Sequence, residues 1–123
     1  MFELTVERQF SAAHCLKDHP GPCARLHGHN YRVRASFRGS QLGPTGILVD
    51  FALLKGRCDE ALEPLDHQYL NDLPEFAAEN PTAEALAVYL HGEFARLTAD
   101  LPVEVAAVTV YESETAAVTY RED

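Results

Sequence analysis

The sequence predicts an α+β domain: a four-stranded antiparallel sheet in strand-strand-helix-helix-strand-strand order, with both helices on one face. Three observations predict it. Residues 2–14 and 27–38 alternate apolar and polar side chains, the period of a half-buried strand. Two later stretches, near 51–62 and from Asn80 to Leu97, carry apolar residues at helical spacing. Residues 103–112 and 116–121 are β-rich again. A chain of 123 residues has room for one domain with a real core, spanning 1–123.

In the first strand Phe2, Leu4, Val6, Phe10, Ala12 and His14 share one parity, with Arg8 as the exception. Residues 15–26 hold Pro20, Gly21 and Pro22 and read as a loop, long for a hairpin. In the next strand His27, His29, Tyr31, Val33, Ala35 and Phe37 share the apolar face. An antiparallel hairpin would bring His14, at the end of the first strand, to His27 and His29, at the start of the second. Residues 39–46 are rich in turn formers, and Ile47 to Val49 suit a short strand. Asp50 reads as the cap of a helix carrying Phe51, Leu54, Cys58, Ala61 and Leu62, stopped by Pro64. After an irregular stretch, Asn80 reads as a second cap, with Pro81 in the first helical position. Ala83, Ala87, Leu90, Phe94 and Leu97 mark that helix's buried stripe. Residues 103–112 are apolar on both parities, which predicts burial on both faces. Open sheet edges favour continuation into neighbouring subunits.

Composition narrows the function. The net charge of −9 argues against a nucleic-acid binder. The charge is uneven: residues 1–57 hold eight Lys/Arg against four Asp/Glu, and residues 58–123 hold two against fifteen. A basic front half suits an anionic ligand such as a phosphate ester, and a solvated asymmetry without a partner accounts for it equally well. No apolar run approaches the roughly 20 residues of a membrane span. The N-terminus resembles neither a signal nor a transit peptide, so the expected location is cytoplasmic. Cys15, Cys23 and Cys58 form no C-x-x-C pair and read as free thiols.

The chemistry concentrates at Cys23–Tyr31, CARLHGHNY. Three imidazoles on one face at one sheet end suit a borderline-soft cation, with zinc foremost. Their N₃ set leaves a fourth position free, as a catalytic Lewis acid requires. Cys23, four residues before His27, reads as a base or nucleophile beside the cation. A fourth ligand or an inert buried thiol are its other readings. Asp66-His67 pairs a carboxylate with an imidazole, a proton-transfer arrangement if the two side chains meet. Glu112, at a strand end, reads by default as a solvated carboxylate, and it could also receive the paired N–H groups of an amidine-like ring edge. Thr82 reads by default as a first-turn helix residue. No nicotinamide or flavin fingerprint is present.

Five blocks, FSAAH (10–14), CARLHGHNY (23–31), LDH (65–67), NPTAE (80–84) before AVYL (87–90), and VTVYE (108–112), resemble in order and position the 6-pyruvoyltetrahydropterin synthase family. The resemblance runs nearly the whole chain. It implies the tunnelling fold, in which subunits join their sheets into a barrel and commonly form hexamers from two trimers. It implies zinc on His14, His27 and His29, a catalytic Cys23 and an acid/base pair in Asp66 and His67. It also implies pterin contacts from Glu112 and Thr82, with active sites between subunits. The C-x-x-x-H-G-H spacing resembles the bacterial branch, 6-carboxytetrahydropterin synthase, which serves queuosine and other 7-deazapurines. That branch is a carbon–oxygen and carbon–carbon lyase. It converts 7,8-dihydroneopterin triphosphate to 6-carboxytetrahydropterin, acetaldehyde and triphosphate. The alternatives are a 6-pyruvoyltetrahydropterin synthase on the same scaffold and a non-catalytic zinc- or pterin-binding module.

Overall fold

The computed structural model describes residues 1–122. The two alternating stretches form β1 (Phe2–His14) and β2 (His27–Gly39), paired antiparallel over their full lengths. His14 stands opposite His27 and Ala12 opposite His29, so the predicted hairpin register holds. On the inner face Val6, Phe10, Tyr31, Val33, Ala35 and Phe37 are buried, and the Phe10 and Tyr31 rings stack at 4.8 Å. Arg8 shares this face because its guanidinium reaches Asp59 on the covering helix through two hydrogen bonds of 2.7 and 2.9 Å.

Helix α1 (Phe51–Leu62) starts where Asp50 accepts a hydrogen bond from the Ala52 N–H at 2.7 Å. Leu54, Cys58, Ala61 and Leu62 face the sheet. Helix α2 (Ala83–Leu97) buries Leu86, Ala87, Leu90 and Phe94. Each large apolar side chain so buried stabilises the fold by about 1.5–3 kcal/mol relative to exposure. Arg57 joins the two helices, donating to the Leu97 carbonyl and to Asp100. The first bond satisfies a carbonyl that the end of α2 would leave orphaned. Among the described residues, no helix is long and apolar enough to cross a membrane.

The sheet corrects the four-stranded antiparallel expectation. It has five strands in the order β3-β1-β2-β4-β5 and is mixed. The added strand, β3 (Gln68–Tyr69), runs parallel to β1 beside Ala12 and Ala13. The chain turns into it through His67, whose φ of 60° is left-handed, and its amide donates to the Ser11 carbonyl. Two residues are too few to print a period on the sequence. The element order is therefore strand-strand-helix-strand-helix-strand-strand.

Three smaller expectations also give way. Ile47–Val49 forms no strand: Leu48 and Val49 make a bend and are tucked into the core. The cap of α2 is Thr82, whose hydroxyl accepts from the Ala85 N–H at 3.0 Å, because the Asn80 amide is committed elsewhere. Strands β4 (Glu104–Tyr111) and β5 (Ala117–Tyr120) are covered on one face only in this single chain. Val108 and Val110 lie beneath α2, whereas Thr109 and Tyr111 stay partly exposed.

Candidate active site

The end of β1 and the start of β2 bring three imidazoles together. One ligand nitrogen from each of His14, His27 and His29 lies within 4.8 Å of the others. The rings meet edge to face, with centroids 4.5–5.0 Å apart. His14 is fully buried and the other two are half-buried.

Backbone carbonyls fix the ring tautomers. A carbonyl only accepts, so the His14 Nδ1–H donates to Pro81 and the His27 Nδ1–H to Arg25, both at 2.7 Å. Each Nε2 keeps its lone pair, with the Tyr31 hydroxyl 3.5 Å from that of His14, the arrangement in which metal-binding histidines are held by their other nitrogen. The Nε2 of His29 is buried without a hydrogen-bond partner. A buried, unpartnered nitrogen is costly unless something binds it. Burial is the main force lowering the His14 pKa from its usual value. The neighbouring His27 and His29 push the same way, and the Pro81 hydrogen bond and the Glu112 charge oppose them. A neutral imidazole is the metal-ligating form. The donor set therefore fits a divalent cation of zinc type.

Asp66 and His67, adjacent in sequence, do meet: Oδ2 of Asp66 lies 3.0 Å from Nδ1 of His67. Adjacent side chains usually diverge, and the left-handed backbone at His67 is what folds them together. The other carboxylate oxygen accepts from the Ser11 N–H at 2.9 Å. That backbone bond, then the bond to His67, holds the Asp66 carboxyl below its usual pKa. The His67 side chain is 80% exposed, free to meet a ligand. It shares an open cleft of about 480 Å³ with Ser11, His29 and Tyr69.

Glu112 lies one residue past β4, half-buried. It shares a second cleft, about 490 Å³, with Gly28, His29 and Arg32. Its charge is felt at both His14 and Tyr31. His29 thus stands between the Asp66–His67 cleft and the Glu112 cleft. Cys23 and Thr82 line neither. Cys23 sits half-buried in a single 3₁₀ turn, Pro22–Ala24, and its carbonyl accepts from the Leu16 N–H at 2.8 Å. Thr82 caps α2 next to Pro81, the residue that orients His14. Sequence reasoning missed Pro81, Arg25 and Ser11. All three act through backbone atoms, which carry no side-chain signal.

The family described as 6-pyruvoyl tetrahydropterin synthase matches residues 3–123. The chain belongs to that family. It is 38% identical to a 6-carboxy-5,6,7,8-tetrahydropterin synthase of Synechocystis, over 98% of this chain and 93% of that one. It is 32% identical to the Bacillus subtilis protein of the same name, over 93% of this chain and 80% of that one. The Caenorhabditis elegans 6-pyruvoyl tetrahydropterin synthase structure superposes with a TM-score of 0.82 at 29% identity, covering 100% of this chain and 98% of that one. The α+β architecture, with its five-stranded mixed sheet and two helices, is accordingly that of this synthase family.

Proposed function

We propose that the protein is a zinc-dependent 6-carboxy-5,6,7,8-tetrahydropterin synthase. In this reading it converts 7,8-dihydroneopterin triphosphate and one water to 6-carboxytetrahydropterin, acetaldehyde and triphosphate, a lyase reaction on the route to queuosine and other 7-deazapurines. The observation that carries it is the convergence of His14, His27 and His29, with two Nδ1–H groups tied to carbonyls and the His29 Nε2 unpartnered.

His14, His27 and His29 would hold the zinc. A bound cation there polarises substrate oxygens and makes the neighbouring C–H protons more acidic. Cys23 takes one such proton as a thiolate. His67, oriented by Asp66 at 3.0 Å, exchanges a proton with the intermediate. Glu112 receives the N–H edge of the pterin ring, and Thr82 lines the pterin pocket beside its capping role. Cys23 and Thr82 lie outside both clefts of the single chain, which supports a site completed at a subunit boundary. A homohexamer of two trimers, with sheets joined into a barrel, supplies that boundary. It would also cover the open face of β4. The location that goes with this role is cytoplasmic.

The spacing Cys23-x-x-x-His27-Gly-His29 and both bacterial relatives support the 6-carboxy product. Product analysis after incubation with dihydroneopterin triphosphate tests the reading. Acetaldehyde with 6-carboxytetrahydropterin is expected. A 6-pyruvoyl product without acetaldehyde would assign the alternative synthase, and bound pterin without turnover would make the protein a binding module.

A further inference from the structure

Beyond His14 the β1 chain loses its strand partner, yet its backbone groups stay paired. Asn71 accepts from the Cys15 N–H and donates to the Cys15 carbonyl, both at 3.0 Å. Asn80 does the same for Lys17, both bonds at 2.9 Å. Residues 15 and 17 present their backbone groups to one side and residue 16 to the other, as in an extended strand. Two side-chain amides thus stand in for a neighbouring strand, each supplying one donor and one acceptor. On the opposite side the Leu16 N–H holds the Cys23 carbonyl at 2.8 Å.

We infer that Asn71 and Asn80 are positioning residues that set where Cys23 sits relative to the three imidazoles. Their amides fix Cys15 and Lys17. That orientation aims the Leu16 N–H, and Leu16 carries the turn containing Cys23. Asn80 has a second connection, because it precedes Pro81, whose carbonyl holds the His14 ring. Proline also favours an extended residue before it. One tripeptide, Asn80-Pro81-Thr82, therefore ties the cysteine loop, a candidate metal ligand and the α2 cap to one helix end. The inference rests on the proposed role of Cys23 and deepens it.

The test uses the full-length zinc-loaded protein and the single variants Asn71→Ala and Asn80→Ala. Backbone amide exchange is followed at Leu16, alongside kcat, KM and zinc per chain. Removing either amide is expected to speed Leu16 exchange at least tenfold, leaving Phe10 in mid-β1 unchanged. Displacing a catalytic group by about 1 Å costs on the order of 100-fold in rate, so kcat should fall roughly 10- to 100-fold. KM should stay within about threefold and zinc per chain should be unchanged. Asn80→Asp keeps the acceptor for Lys17 N–H and loses the donor, so its effects should be intermediate; it serves if the alanine variant fails to fold. Unchanged Leu16 exchange overturns the inference, and so does faster exchange with undiminished kcat. If the wild type turns over no pterin substrate, the proposed reaction falls, and Leu16 exchange alone decides whether the amides hold the cysteine loop.

Discussion

Replacing Asp66 by Asn tests the acid/base pair with almost no change of shape. The two carboxylate oxygens have different partners: the Ser11 N–H at 2.9 Å and the His67 Nδ1 at 3.0 Å. An asparagine must turn its oxygen to the Ser11 N–H, because two donors cannot pair. Its NH₂ then faces His67 and is satisfied only if Nδ1 carries no proton. The substitution thus keeps the backbone anchor and forces the other tautomer, moving the proton to the exposed nitrogen. General acid–base catalysis by a positioned side chain is worth about 10²- to 10⁴-fold, and the variant should lose turnover within that range. Steady-state kinetics on dihydroneopterin triphosphate, with zinc content and thermal midpoint measured on the same samples, read the effect. Zinc should be unchanged, and the midpoint should fall slightly at neutral pH, where the ionised carboxylate of the wild type contributes. The wild type should show an added acid limb. A carboxyl held below its unfolded pKa stabilises the fold above that value, and the contribution is lost as pH falls through the lowered folded value. The variant should lack this limb. Turnover within threefold of wild type would refute the pairing as a catalytic device.

Three further outcomes follow from the same structure. Cys23→Ala should retain full zinc and lose about 10²- to 10⁴-fold in turnover; normal turnover would remove Cys23 as the base, and loss of zinc would make it a ligand. Burial pushes the Cys58 thiol up to about 12, so iodoacetamide at pH 8 should leave it unlabelled in the native protein and label it on unfolding. Native labelling of Cys58 as fast as Cys23 would contradict its burial. Leu86 is fully buried under the sheet, and Leu86→Ala should cost about 2–5 kcal/mol in urea unfolding. A loss under about 1 kcal/mol would show that the core around α2 is misdescribed.

The long elements were legible because their periods are long. Thirteen residues each in β1 and β2 printed the alternation that puts His14, His27 and His29 on one face, and the hairpin register followed. Asp50 and Pro64 bracketed α1 for local reasons, a side-chain cap and a missing N–H. Strand β3 was illegible because its two residues form a strand only through their pairing with β1. The start of α2 was misplaced because Asn80 is a good cap in isolation. In the folded chain its amide binds Lys17, sixty-three positions away, and Thr82 takes the cap. The candidate site residues announced themselves by side-chain type, whereas the groups that orient them are mostly backbone. Pro81 and Arg25 carbonyls set two ring tautomers, and the Ser11 amide anchors Asp66. No reading of side-chain chemistry reaches those atoms.

The proposed role of zinc on His14, His27 and His29 is to promote cleavage of the pterin side chain. It is tested most directly by stripping the protein of metal and titrating zinc back against dihydroneopterin triphosphate, with triphosphate and acetaldehyde quantified together. Both products should rise in equal amounts and reach their plateau at about one zinc per chain, the stoichiometry of a single three-ligand site. Undiminished turnover in the stripped protein would contradict it, as would triphosphate released without acetaldehyde.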